Sequence, residues 1–175
     1  MSSPDKAHNK KSFLAAAVLM LIITAAAVFI ILLNTDYLVL YNADTGERYL
    51  AEKAEQGFEF SVEFIHSVNK TPVKDTYRVE NGKIRAYSTT YRSFGAGVQT
   101  QLEDGQIMNV DDNGNMIITG YNITYAPLRY IVSAAYDHVL FISDKEISLR
   151  ETCGENTRIV FEVAPLFRIL TKGMI

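Results

Sequence analysis

Between Phe13 and Leu33 the chain reads FLAAAVLMLIITAAAVFIILL, without a single charge. As a helix that run is about 30 Å long at ~1.5 Å per residue, the thickness of a bilayer's hydrocarbon. A lone strand would leave its backbone polar groups unpaired in lipid, so helix is the backbone such a stretch can adopt there. No face of it is polar, which argues against a buried helix of a soluble domain. A cleaved signal peptide is the alternative, with Ala25 and Ala27 as small residues at a cut site. Its apolar region is usually about 7–15 residues, shorter than this one. Cleavage there would also leave VFIILL at a new terminus. The reading is therefore an uncleaved anchor. Lys6, Lys10 and Lys11 precede the run, and the first basic residue beyond it is Arg48. That bias places the N-terminus in the cytoplasm and the rest outside the cytoplasmic membrane. The organisation expected is a tail over 1–12, a membrane helix over 13–33 and an extracytoplasmic domain over 36–175.

That last segment has the size of one domain. It carries all but three of the seventeen Lys/Arg and all but one of the twenty Asp/Glu, so it is net acidic. With no basic stripe, nucleic acid is not an expected partner. Cys153 is the one cysteine of the chain, so no internal disulfide forms and hydrophobic packing must hold the fold.

The dominant period is two. Phe58, Phe60, Val62 and Phe64 alternate with Glu59, Ser61 and Glu63, a strand with one apolar face. Asn81-Gly82 joins Lys74–Glu80 to Lys83–Thr90 as a two-residue hairpin turn. That turn pairs Val79 with Ile84, Tyr77 with Ala86 and Asp75 with Ser88, and leaves Arg78 opposite Arg85 on the other face. Further strands are expected at Tyr37–Tyr41, Arg48–Glu52, Met116–Thr119, Leu128–Ser133, His138–Ile142, Glu146–Glu151 and Arg158–Val163. Phe161–Leu170 reads as either strand or short helix. Many short strands separated by turn residues give an all-β class: an antiparallel β-sandwich or barrel carrying one N-terminal transmembrane helix.

His66 continues the inward parity of its strand, where an apolar residue belongs. The polar loop Ser67–Val73 follows, and Asp75 returns on the inward side level with Ser88. The three residues are expected near one end of the sheet, either as a satisfied core histidine with its partners or as a ligand-contacting cluster. In Thr89–Gln101, Gly95 and Gly97 flank Ala96 and permit a turn, a bulge or a bare-amide anion site. Tyr121, Tyr125 and Tyr130 read as ordinary strand residues or as a partner surface.

The stretches HSVNKTPVKDTYRV and TTYRSFGAGV resemble the two signature segments of a bacterial and archaeal family, the domain of unknown function family number eighteen-fifty. The resemblance covers roughly Val39 to Gly97. By it, His66, Ser67, Lys70, Thr71 and Pro72 are carried over, with Asp75 at an acidic position, and Ser93, Phe94, Gly95 and Gly97 from the second segment. Asn69 stands where related sequences often have a carboxylate, and Gln99 where proline is common. The resemblance implies a small membrane-anchored protein encoded beside TAXI-type TRAP transporters, which pair a solute-binding protein with a large permease. The function expected from it is an extracytoplasmic accessory protein docking on that permease or on its solute-binding protein.

Two other classes compete. The rim residues His66, Ser67, Lys70, Arg92 and Ser93 have the donors to grip a small carboxylate, such as an organic acid. His66, Asp75 and either Ser67 or Ser88 have the residue types of a hydrolytic triad. No G-x-S-x-G or H-E-x-x-H motif accompanies them, so no catalytic residue, metal or cofactor is assigned.

Overall fold

The structure, a computed structural model, describes residues 5–68, 70–92, 99 and 101–171. In chain order the elements are α1 (Asp5–Leu33), β1 (Asp36–Asn42), β2 (Arg48–Lys53), β3 (Glu59–Ile65), β4 (Pro72–Glu80), β5 (Lys83–Tyr91), β6 (Ile107–Val110) and β7 (Met116–Thr119). There follow β8 (Thr124–Tyr125), β9 (Leu128–Ile131), β10 (His138–Ile142), β11 (Lys145–Ser148), α2 (Leu149–Cys153), β12 (Arg158–Pro165) and α3 (Leu166–Thr171). Two sheets result, one ordered β2-β1-β12-β9 and the other β11-β10-β3-β4-β5-β7-β6, with β8 paired to β5. All the pairings are antiparallel. The architecture is a β-sandwich.

The alternation read from the sequence fills the space between the sheets. Leu38, Leu40, Leu128, Phe161 and Val163 of the smaller sheet meet Phe60, Val62, Tyr77, Val79, Ile84, Leu140 and Ile142 of the larger in one core. Phe60 stacks on Tyr77 beside it and on Phe161 across the gap, both at 5.3 Å between ring centroids. Burying each such ring removes on the order of 150–250 Å² from water, the largest single contributions to a core of this size. The hydroxyls of Tyr77 and Tyr130 hydrogen-bond across the sandwich. Polar tips left between the sheets are thereby satisfied. On the far side of the smaller sheet, Ile169 of α3 packs against Val39 and Ala164.

The Asn81-Gly82 turn forms as expected, with both residues at positive φ (52° and 69°), the geometry of a tight primed hairpin turn. Val79 pairs with Ile84, Tyr77 with Ala86, and Arg78 faces Arg85. Beyond that the register departs from the simple ladder. Tyr87 is an extra residue, a β-bulge, so Thr76 pairs with Ser88 and Asp75 with Thr89. The bulged Tyr87 lies under the Arg78 guanidinium, 3.6 Å from ring centroid to carbon, while Arg78 also holds Glu59 at 2.5 Å. Ser88 therefore moves to the outer face, and the expected Asp75–Ser88 pair does not form.

The strand expected at Glu146–Glu151 is also corrected. Pairing stops at Ser148, whose Oγ accepts the Glu151 N–H at 3.0 Å and caps α2. Ser-x-x-Glu is a helix-start signature, and here it overrides the alternation around it. The ambiguous Phe161–Leu170 segment divides, strand to Pro165 and helix from Leu166. Among the described residues helix α1 runs from Asp5, so residues 5–12 are helical together with the apolar run.

Candidate functional site

The candidate site lies where β3 and β4 meet at the end of the larger sheet away from the Asn81-Gly82 turn. The chain reverses there over His66–Thr71. His66 N–H donates to Thr71 C=O, and Lys70 N–H to His66 C=O, each at 2.9 Å. Lys70 holds φ 58°, a left-handed conformation that a tight reversal requires. The His66 Nδ1 accepts the Val68 N–H at 3.3 Å, which places the ring's proton on Nε2 in the neutral form. The histidine at the mouth of the loop thus serves the loop's own backbone. Ser67 and Lys70 are exposed, and Thr71 is half-buried. The Lys70 ammonium lies 5.0 Å from the centre of the Tyr136 ring, joining this turn to the loop before β10. In that loop the Ser133 N–H donates to His138 Nδ1, and burial lowers the His138 pKa.

One strand over, Asp75 points into the sandwich opposite Val62 and Thr89. The Thr89 hydroxyl donates to its Oδ1 at 2.8 Å. Burial raises the Asp75 pKa, and the Thr89 bond offsets part of that rise. Tyr77, Tyr91, Tyr121, Tyr125 and Tyr130 all feel the Asp75 charge, which together with burial raises the pKa of each phenol. Tyr77 and Tyr125 meet edge to face at 6.0 Å. The arrangement is a buried carboxyl group bonded by the Thr89 hydroxyl, with phenols near enough for its charge to act on them.

The expected residues are only partly gathered. Arg92 is on the outer face, where its guanidinium pairs with Glu63 at 3.6 Å, so it does not join Lys70 in a cationic cradle. Ser88 stands on that outer face as well, separated by the sheet from Asp75, which removes one of the two serines considered for a triad. Asn69, Ser93, Phe94, Gly95 and Gly97 lie outside the described residues. Tyr125 and Tyr130 are half-buried and pack against the core. Sequence reasoning missed Thr89, Tyr91 and the phenol ring around Asp75. The one available signal was the density of tyrosines on alternating positions, which says nothing about which of them converge.

A protein-family model described as a domain of unknown function (DUF1850) matches residues 60–149, a span that runs from the second residue of β3 through β11 and contains the whole of this site. No curated protein and no solved structure matches the chain.

Proposed function

Because this chain belongs to the family of domain of unknown function number eighteen-fifty, we propose that it is a membrane-anchored extracytoplasmic accessory protein of a TAXI-type TRAP transport system. Its sandwich docks on the permease or on the solute-binding protein. The observation that carries the reading is the joint between α1 and β1. Asn34 and Thr35 alone separate helix from strand, and neither is slack. Asn34 N–H donates to Ile30 C=O at 3.1 Å, Thr35 N–H to Leu32 C=O at 3.2 Å, and Leu166 N–H to Thr35 C=O at 3.0 Å. Ser12–Leu33 is long and apolar enough to cross a bilayer, and none of it is buried by the sandwich. A span joined this tightly sets the height and direction of the domain above the membrane. A docking subunit needs that, whereas a freely tethered receptor is better served by a flexible linker. The family residues at His66–Asp75 then sit at the end of the sheet remote from the joint, since Asp36, Asn81 and Gly82 share a recess at the near end. The charge bias of the flanks supports an outside location for the sandwich.

The carboxylate-binding alternative draws less support, because Arg92 is engaged by Glu63 and the interior group beside the turn is itself a carboxyl.

The test is affinity purification of the tagged full chain at native expression in mild detergent. Co-purification of a TRAP permease or its solute-binding protein is expected, together with retention in the membrane after alkaline washing. A flexible glycine-serine insert between Asn34 and Thr35 should weaken complex recovery and solute uptake. A chain that purifies alone, or an insert without effect on either readout, overturns the proposal.

A further inference from the structure

We propose that α3 is a second membrane contact, a short helix lying in the lipid interface beside the exit of α1, with Phe167 and Leu170 at the acyl boundary. The inference rests on the reading of α1 as a membrane span. Two sides of α3 are already committed. Ile169 is 1% exposed against Val39 and Ala164. Arg168 donates to Glu162 at 2.6 Å and to the Val163 carbonyl at 3.0 Å. At 3.6 residues per turn the remaining side carries Phe167 and Leu170 next to each other, and they are 45% and 47% exposed. Together they form a small apolar patch on the free side of the helix.

Position identifies what meets this patch. The first residue of α3 is hydrogen-bonded to Thr35, two residues beyond the end of the apolar run. The helix is roughly 9 Å long at ~1.5 Å per residue, and the interfacial zone is about 5–8 Å deep on each side of the hydrocarbon. Its first turn therefore starts within that zone. Aromatic and aliphatic side chains at this depth bury in the acyl boundary, as in interfacial helices. A span by itself leaves rotation about its own axis free. A second contact off that axis fixes which side of the sandwich faces its neighbours.

Depth measurement on the full-length chain tests this in vesicles of phosphatidylcholine and phosphatidylglycerol with no other protein present. A spin label is placed at Phe167→Cys or at Leu170→Cys, with Val28→Cys in mid-span and Val68→Cys in the remote loop as references. Cys153 is buried and its thiol is pushed up to about 11, so it stays protonated and unlabelled at neutral pH. Labels at both α3 positions should show several-fold more collision with dissolved oxygen, relative to a water-soluble nickel chelate, than the label at Val68→Cys. If they match Val68→Cys while Val28→Cys reads as lipid, α3 stands clear of the membrane and the inference is overturned with the span intact. If Val28→Cys also reads as water, the span reading falls, and the inference with it. Protection that arises only when a permease is reconstituted alongside overturns the lipid contact in favour of a protein one.

Discussion

The Thr89 hydroxyl donates to Asp75 Oδ1 across β4 and β5 because the bulge at Tyr87 advances the ladder by one residue. Without that extra residue Ser88 would stand opposite Asp75, as the ungapped hairpin predicts. The bulge thus selects the partner of the interior carboxyl and sends the neighbouring hydroxyl to the other face.

Asp75 has a pH consequence. Its pKa is raised, chiefly by burial, so the folded chain keeps the proton in a range where the unfolded chain has lost it. More protons are then bound in the native state, and stability falls as pH rises from the ordinary carboxyl value of about 3.9 through the raised one. Asp75→Asn keeps an acceptor for Thr89 and removes the titration. In melting curves recorded across pH, the variant should lack this decline and melt above the parent at neutral pH. Parallel curves for the two proteins would show that the carboxyl titrates normally.

Phe60 bridges the two sheets through its contacts with Tyr77 and Phe161 and is 2% exposed. Phe60→Ala should cost about 3–5 kcal/mol, the range for emptying an aromatic core site. Denaturant titration of the full chain in detergent would register this as a lower midpoint. A loss below about 1 kcal/mol would mean that the sandwich collapses to refill the space.

Gly120 has φ +81°, and a Cβ there would strike the Gly105 carbonyl oxygen and come within 3.0 Å of its carbon. Two backbones pass at this point without room for a side chain. Gly120→Ala should lose roughly 2–5 kcal/mol, from left-handed strain plus the clash. Faster amide exchange in β6 and β7, with β1 and β12 unchanged, would locate the damage. Wild-type exchange throughout would refute the close approach.

Ser148 ends β11 and caps α2 in one residue. Ser148→Ala should destabilise the chain by about 0.5–2 kcal/mol, while Ser148→Asp, which keeps an acceptor, should recover most of it. Equal losses for the two variants would indicate that the hydroxyl matters through something other than the Glu151 amide.

Much of the β-sandwich was legible before any coordinates. The uncharged run Phe13–Leu33, the two-residue period around Phe60 and the Asn81-Gly82 turn are local signals, each carried by residues within a few positions of one another. The cap at Ser148 was local too: Ser148 and Glu151 stand three apart in the sequence, but the alternation of Glu146–Glu151 masked them. The candidate site was less legible, since Lys70 and Arg92 turn to different partners, the Tyr136 ring and Glu63, neither of them near in the sequence.

From the chain's own order of residues came the apolar helix, the strands and the inward side of most of them, because backbone geometry ties side-chain direction to sequence spacing. Tertiary structure alone decided that β9 and β12 face β4, that Tyr87 bulges, and that Tyr77, Tyr91, Tyr121, Tyr125 and Tyr130 gather around Asp75. Those outcomes depend on which distant surfaces fill one another's space, and no short window of sequence contains both partners.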